Sequence, residues 1–480
     1  MDEVIERALI TAKKLGATYA DVRLIKKSVE DLTLTNREVK VATTRRSRGF
    51  GVRVIVDGAW GFFSSVNTTG EEGERVAKIA VEIAKASSKT KIEDAKLKDI
   101  EIYQDRVSQP VKIDPFSIPM NKKIAFMLDL DKLMEKEGII VRNSSMHFSK
   151  EWKTFASLEG AYIEMERIVS GAGIQVIATD GREIQVRSYP NSFGGDYARK
   201  GYEFIEEMKL AENAERIRDE ALQLLKTRPC PTGKMDLIIG PYQMALQLHE
   251  SVGHPTELDR VLGEEASFAG TSFLTPEKLN NFQFGSKYVN IVADATDPYA
   301  LGGFPYDDEG VKAKKIYLVK EGIFVGYLNS RETSYKLGLE PMGAMRADSF
   351  NRIPIIRMTS INLEPGNSTL EELISGVDNG LLIDVNKSWS IDQKRLNFQF
   401  GTEIGYEIKN GKIQDMVKNP TYSGITYEFW RSLDGVGNES YYHILGIPNC
   451  GKGEPMQVME VSHGSSYARF RNVNVGVKHE

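Results

Sequence analysis

The sequence predicts an α+β protein in two parts, 1–228 and 229–480. Three observations predict it. Helical apolar spacing alternates with hairpin signals in the first part, and one such hairpin–helix unit recurs. The second part carries glycine-bearing turns between β-rich runs and few helical signals. A chain of 480 residues also exceeds one ordinary core.

The elements follow in order. Residues 2–15 form a helix, because Val4, Ile5, Ala8, Leu9 and Ala12 recur at helical spacing and Gly16 ends it. A strand, TYADVRLI, and two short runs around a polar turn, DLTLTNREVKVATT, come next. In GFGVRVIVDGAWGFFSS the pair Asp57-Gly58 marks a hairpin, since a type I′ turn needs positive φ at both central residues. TTGEEGERVAKIAVEIAKASSK is a helix with an apolar face at Val76, Ile79, Ala80 and Ile83. A proline-bearing linker, QPVKIDPFSIPM, leads to a further helix, NKKIAFMLDLDKLMEKEG. Turns at Glu159-Gly160 and Asp180-Gly181 then precede FIEEMKLAENAERIRDEALQLLKT, a long helical segment. Gly49-x-Gly51 before Asp57-Gly58 is matched by Gly171-x-Gly173 before Asp180-Gly181, which reads as a duplicated unit.

The boundary falls at TRPCPTGK, where prolines and a glycine follow a helix end. Beyond it MDLIIGP is an apolar strand, and KIYLVKEGIFVGYL and YEIKNGKIQDMV are hairpins around Glu-Gly and Asn-Gly. Helical signals are confined to 241–252, 330–337 and 369–374.

Composition is that of a soluble globular protein, 41% hydrophobic and 27% charged. No run approaches the roughly 20 apolar residues that span a bilayer, and the charged N-terminus shows no apolar leader. A cytoplasmic protein without a membrane segment is expected. The net charge of −5 argues against nucleic acid as partner. The basic cluster Arg45, Arg46, Arg48 and Arg53 reads as a solvated strand end, with an acidic or peptide partner as its other use. Two cysteines make no disulfide framework, so each is read alone. Cys230, in a proline-flanked linker, reads as structural.

Chemistry concentrates in LHESVGHPTELD, where two of only six histidines flank a glutamate. His249 and His254 are five apart, and on a straight α-helix they would diverge by about 140°. Two routes bring them together. Gly253 and Pro255 can end the helix and let His254 swing back, or a π-bulge can align residues five apart. The local breakers favour the first. A catalytic zinc takes three protein ligands and keeps one position open. Cys450, in the loop-like LGIPNCGKGEP, is the best third partner, and His463 in EVSHGSS is the alternative. Glu250, beside a ligand, is placed to act as general base. His443, His463, Tyr441 and Arg346 are oxyanion candidates by residue type alone.

HESVGHPTELD resembles the HExxxH signature of the TldD/PmbA metalloproteases, in their metal-bearing branch. NCGKGEP resembles that branch's C-terminal cysteine segment, and DDEGVKAKKIYLVKEGIFVGYLNSRETSYKLGL, RMTSINLEPG, DLTLTNREVKV and GFGVRVIVDGAWGFFSS follow the family along nearly the whole chain. The resemblance implies a cytoplasmic zinc peptidase for small or unfolded polypeptides, with one Zn²⁺ per chain held by His249, His254 and Cys450 and with Glu250 as the catalytic carboxylate. It also implies a dimer, either of two identical chains or with a PmbA-like paralogue, whose N-terminal parts help enclose a chamber. The stretch after the cysteine and the end, EVSHGSSYARFRNVNVGVKHE, depart from the family's usual form. Substrate held as an added strand fits the many strand edges of the second part. The competing readings are a non-catalytic partner or regulatory subunit of a protease or DNA-enzyme complex, and a hydrolase with Cys450 as nucleophile and His443 or His463 as its base.

Overall fold

The computed structural model describes residues 2–265 and 270–476. Its first sheet has eight strands, β1 to β8: Tyr19–Thr35, Glu38–Val56, Ala59–Ser65, Gln104–Val107, Ile139–Ser157, Tyr162–Thr179, Ile184–Tyr189 and Asp196–Ala198. The order is β3-β2-β1-β5-β6-β4, with β7 and β8 also paired to β6. Helices α1 (Glu3–Lys14), α2 (Gly70–Ser87), α3 (Met120–Met134), α4 (Glu203–Glu207) and α5 (Leu210–Leu224) accompany it. The element order repeats as the sequence predicts. α1, three antiparallel strands and α2 are followed by α3, the antiparallel β5-β6-β7 and, after short β8 and α4, α5.

The turns sit where their residues placed them, with φ of 49° at Asp57 and 71° at Gly58. The two runs read separately as TYADVRLI and DLTLT are one strand of 17 residues. Lys26, Lys27 and Ser28 break the apolar pattern, but β1 is paired on both sides there, to β2 and to β5, and the double ladder carries the strand through. The Gly-x-Gly pairs mark close approach. A Cβ on Gly51 would lie 2.3 Å from the Phe350 carbonyl oxygen, and one on Gly171 would lie 2.0 Å from the Tyr197 ring.

The helices cover one face of this sheet. Ala20 and Val22 of β1 join Val4, Ala8, Val76 and Ala80 in one core, and Leu32 and Phe148 join α3 and α5 in another. The opposite face meets the second part through buried charge. Arg23 lies 3.6 Å from Asp308, and Arg53 lies 2.7 Å from Asp21 and 3.4 Å from Glu309. Arg53 is therefore no solvated strand end, whereas Arg45, Arg46 and Arg48 are exposed as expected.

The second part is strand-rich. Its strands β9 to β16 are Gly233–Ile239, Ile291–Asp294, Lys315–Lys320, Ile323–Phe324, Met345–Arg346, Ile355–Ile356, Ser360–Leu363 and Asn379–Ile391. Strands β17 to β23 are Asn397–Lys409, Lys412–Lys418, Thr421–Ile425, Leu433–Val436, His443–Lys452, Gln457–Ser465 and Ala468–Val475. The ladder β16-β9-β23-β19-β17 returns to β16, so this sheet closes into a barrel and leaves no edge along that path. A second sheet runs β12-β11-β10-β15-β22-β21, with β21 at its edge. Helix α6 (Pro241–Leu248) leaves β9 and lies between the two, against β16 on one side and β21 and β22 on the other. Leu237, Met244, Leu248, Trp430 and Phe470 pack in the core around it.

The predicted hairpins stand, with Glu321-Gly322 between β11 and β12 and Asn410-Gly411 between β17 and β18. The predicted 330–337 and 369–374 helices are Arg331–Leu337 and Leu370–Ser375, each with its capping box. A further helix, Thr426–Arg431, is too short to leave a periodic signal. Among the described residues no helix is long and apolar enough to cross a membrane.

Candidate metal centre

Helix α6 begins at Pro241, which has no N–H to satisfy, and the Asp384 carboxylate of β16 accepts from Gln243 N at 2.9 Å. Burial pushes Asp384 up to about 6, against the hydrogen bonds it accepts. Met244, Ala245 and Leu248 are buried as their spacing predicts. Gln243 and Gln247 are buried too, because both amides bond the Tyr422 hydroxyl at 2.9 Å.

Beyond Leu248 the backbone does not break. His249–Gly253 forms a π-helical turn, closed by the His254 N–H donating to the His249 carbonyl. Gly253 has φ −58° and His254 φ −60°, both right-handed. The favoured route, a helix ended at Gly253, is thus replaced by the π-bulge. Pro255 supplies the reason: it has no N–H for the carbonyl four residues back and its ring crowds that carbonyl, and a widened turn relieves both. Thr256 Oγ1 donates to the freed carbonyls of Val252 and Gly253 at 2.9 Å. Gly253 serves by size rather than by φ, since a Cβ there would meet Met358 Sδ at 2.1 Å.

The wide turn puts the His249 and His254 rings edge to face, 4.8 Å apart. Cys450 reaches them from β21, where a bulge between Ile447 and Cys450 shifts the register against β22 and re-aims the side chain. Ligand atoms of His249, His254 and Cys450 all lie within 4.8 Å of one another, and Cys450 Sγ is 3.9 Å from His254 Nε2. All three residues are buried.

Electrostatics favour metal-binding forms. Burial holds both histidines down at about 4, so the rings are neutral with a lone pair to offer. Burial pushes the Cys450 thiol up, but Arg357 and His254 outweigh it and the net shift is down, toward thiolate. Arg357 also donates to the Cys450 and Gln457 carbonyls, clamping the β21–β22 hairpin.

Each histidine is held from behind. His254 Nδ1 donates to Glu257 Oε2 at 3.0 Å, and a carboxylate can only accept, so Nε2 is left bare toward Cys450. His249 Nδ1 lies 2.8 Å from His463 Nε2. His463, the alternative third ligand, stands behind His249 and outside the cluster. Glu250 is next to the cluster, 6% exposed, and accepts from Arg395 Nη1. A cavity of about 520 Å³ opens over His249, Glu250, His254, Cys450 and Arg395.

The remaining candidates lie elsewhere. His443 pairs with Asp196, Tyr441 with Glu371, and Arg346 with the carbonyls of Gly302 and Glu460. None of them lines this cavity. Cys230 is partly buried, its thiol pushed up to about 11 by burial, and it donates to the Pro231 carbonyl. Sequence reasoning missed Arg357, Arg395 and Glu257. Only Glu257, three residues after His254, carried a readable signal: a carboxylate spaced to orient a histidine on the same turn.

The donor set fits zinc: two neutral imidazoles and a thiol shifted toward thiolate converge on one point beside an open cavity. Known proteins resemble this chain along nearly its whole length. The family model for the PmbA/TldA metallopeptidase C-terminal domain matches residues 232–477, that for domain 1 matches 20–84, and that for the central domain matches 113–226. A metalloprotease of Methanocaldococcus jannaschii is 30% identical over 90% of this chain and 92% of its own length. A zinc metalloprotease TldD homolog of Saccharolobus solfataricus is 24% identical over 97% of this chain and 98% of its own. The crystal structure of a putative modulator of a DNA gyrase from Thermotoga maritima shares the fold, with a TM-score of 0.78 and 20% identity over 99% of each chain. With three family domains in sequence and a metallopeptidase relative matched nearly end to end, the chain belongs to the PmbA/TldD family of metallopeptidases.

Proposed function

We propose that this protein is a zinc-dependent peptidase that hydrolyses peptide bonds in small or unfolded polypeptides. The convergence of His249, His254 and Cys450 beside Glu250, at the floor of a cavity, carries the reading. His249, His254 and Cys450 would hold one zinc ion. When bound, zinc supplies Lewis acidity, which makes water nucleophilic near neutral pH and polarises a carbonyl.

The chain's own residues do the rest. Glu250 takes the proton of the attacking water and delivers it to the leaving amine. Arg395 grips one oxygen of that carboxylate and fixes its orientation. Glu257 and His463 hold the two imidazoles. Burial of the cluster excludes bulk water, which strengthens each of these interactions.

In this reading the protein works in the cytoplasm as a dimer, of identical chains or with a PmbA-like paralogue, and 1–228 helps to enclose the substrate. Zinc content and cleavage of an unstructured peptide are the test, on wild type and Glu250→Gln. One zinc per chain in both, with cleavage in the wild type alone, is expected. Full cleavage by Glu250→Gln would overturn the assigned base, and absence of zinc from the wild type would overturn the metal set.

A further inference from the structure

We propose that the cavity wall is a side-chain pocket for a large apolar residue next to the scissile bond, with Trp389 as its specificity-determining residue. The inference rests on the peptidase reading and names the substrate class.

The floor of the cavity is polar, and the rest of it is mostly apolar, with Ser390 and Asn449 as its neutral polar side chains. Among the described residues lining it, formal charge is confined to Glu250 and Arg395, apart from the histidines and the cysteine. The wall includes Phe193, Ile391 and Ile447. On the rim Trp389 is 51% exposed, Met456 50% and Val458 43%. Single exposed apolar side chains are ordinary, but three large ones sharing the mouth of one cavity form a patch that water wets poorly.

The patch is built rather than loose. Trp389 and Ile391 are two apart on β16 and so share a face. The Trp389 ring meets Phe193 edge to face, at 5.8 Å and 66°. Phe193 comes from the segment between β7 and β8, so the pair joins the two parts of the chain over the site. Met456 and Val458 face the cavity from the β21–β22 hairpin that also delivers Cys450.

Such a wall rewards an apolar side chain and penalises a charged one, which would lose water against Trp389, Phe193 and Met456 while the floor charges Arg395 and Glu250 already hold each other. Apolar complementarity in a pocket is worth roughly tenfold or more in selectivity. Folded proteins bury their large apolar residues, so the same wall would turn the enzyme toward unfolded chains.

The test is binding by the zinc-loaded full chain carrying Glu250→Gln, so that the peptide stays whole. End-blocked glycine pentapeptides carrying one central Phe, Ala or Glu are compared by calorimetry. The Phe peptide is expected to bind at least about tenfold more tightly than the others. Trp389→Ala should erase most of that difference while moving the Ala peptide little, and Met456→Glu should weaken the Phe peptide without touching Trp389. Equal affinities, or equal losses for all peptides in Trp389→Ala, would overturn the pocket. A Trp389→Ala variant that changes sedimentation with peptide selectivity intact would assign the patch to contact with another chain and overturn it too. Wild-type cleavage is followed in parallel: preference in binding without cleavage sinks the peptidase reading alone, and cleavage without preference sinks this inference alone.

Discussion

Lys452 Nζ and Glu257 Oε1 stand 3.6 Å apart, and both side chains are fully buried. Glu257 follows His254 by three residues, and Lys452 follows Cys450 by two. Lys452 also donates to both Asp259 oxygens at 2.8 and 2.7 Å, and Arg260 Nε donates to Glu257 Oε2 at 2.6 Å. This charge network ties the turn that carries two of the candidate ligands to the strand that carries the third.

Lys452→Met should therefore unfold the centre rather than only loosen it. It leaves Glu257 and Asp259 buried without their shared cation, a loss of about 3–5 kcal/mol. Urea denaturation measures it. A loss under about 1 kcal/mol would show that the network does not hold the two segments together.

Glu257→Gln keeps the shape and removes the charge that orients His254. Zinc affinity should fall about 10- to 100-fold, read by competition with a chromophoric chelator. Unchanged affinity would mean that His254 needs no orienting partner.

Gly253→Ala should cost about 1–3 kcal/mol, because the new methyl meets Met358 Sδ. In a Met358→Ala background the same change should cost under about 1 kcal/mol, since the neighbour is gone. A cost that persists in that background would assign the effect to the backbone of the π turn instead.

Zinc removal should lower stability by about 4 kcal/mol relative to protein in free zinc at about 1,000 times the dissociation constant. Thermal melts with and without chelator read it, and Cys450→Ser should show most of this loss before any chelator is added. Identical melts for wild type with and without chelator would exclude a folded-state zinc site.

Stability should fall with rising pH through a second contact. His443 Nε2 lies 2.8 Å from Asp196 Oδ2, joining β21 to β8. Burial opposes the charged ring, but Asp196, by hydrogen bond and charge, outweighs it and the net shift is upward. A raised basic group stabilises the fold fully below its unfolded value of about 6.5 and loses that contribution as pH rises through its folded value. Melting temperature should therefore drop across that window in the wild type and stay flatter in His443→Gln. Parallel profiles for the two proteins would remove the contact from the account.

Local residue choice sets the local pieces of this fold. Asp57-Gly58, Asp180-Gly181, Glu321-Gly322 and Asn410-Gly411 lie at hairpin turns, because positive φ is a local demand met by local residue choice. The apolar stripe of α1 and the repeat of helix and three strands were legible for the same reason. The candidate set His249, Glu250, His254 and Cys450 could be named from rare residue types in an unusual spacing, and the fold brings its three proposed ligands together. The sixth histidine, His479, lies outside the described residues.

How those residues meet depends on contacts between segments far apart in the chain. Gly253 looked like a terminator by propensity, yet its backbone stays right-handed because Pro255 widens the turn instead of ending it, and its missing side chain leaves space for Met358. Arg53 looked solvated by composition, yet it faces Asp21 and Glu309 inside the molecule. Arg357, Arg395 and Lys452 gave no signal, because they act on groups 93, 145 and 193 residues away in the chain. A charge network, a barrel that closes on itself and a thiol delivered by a bulge are products of long-range packing, and short-range pattern holds no record of them.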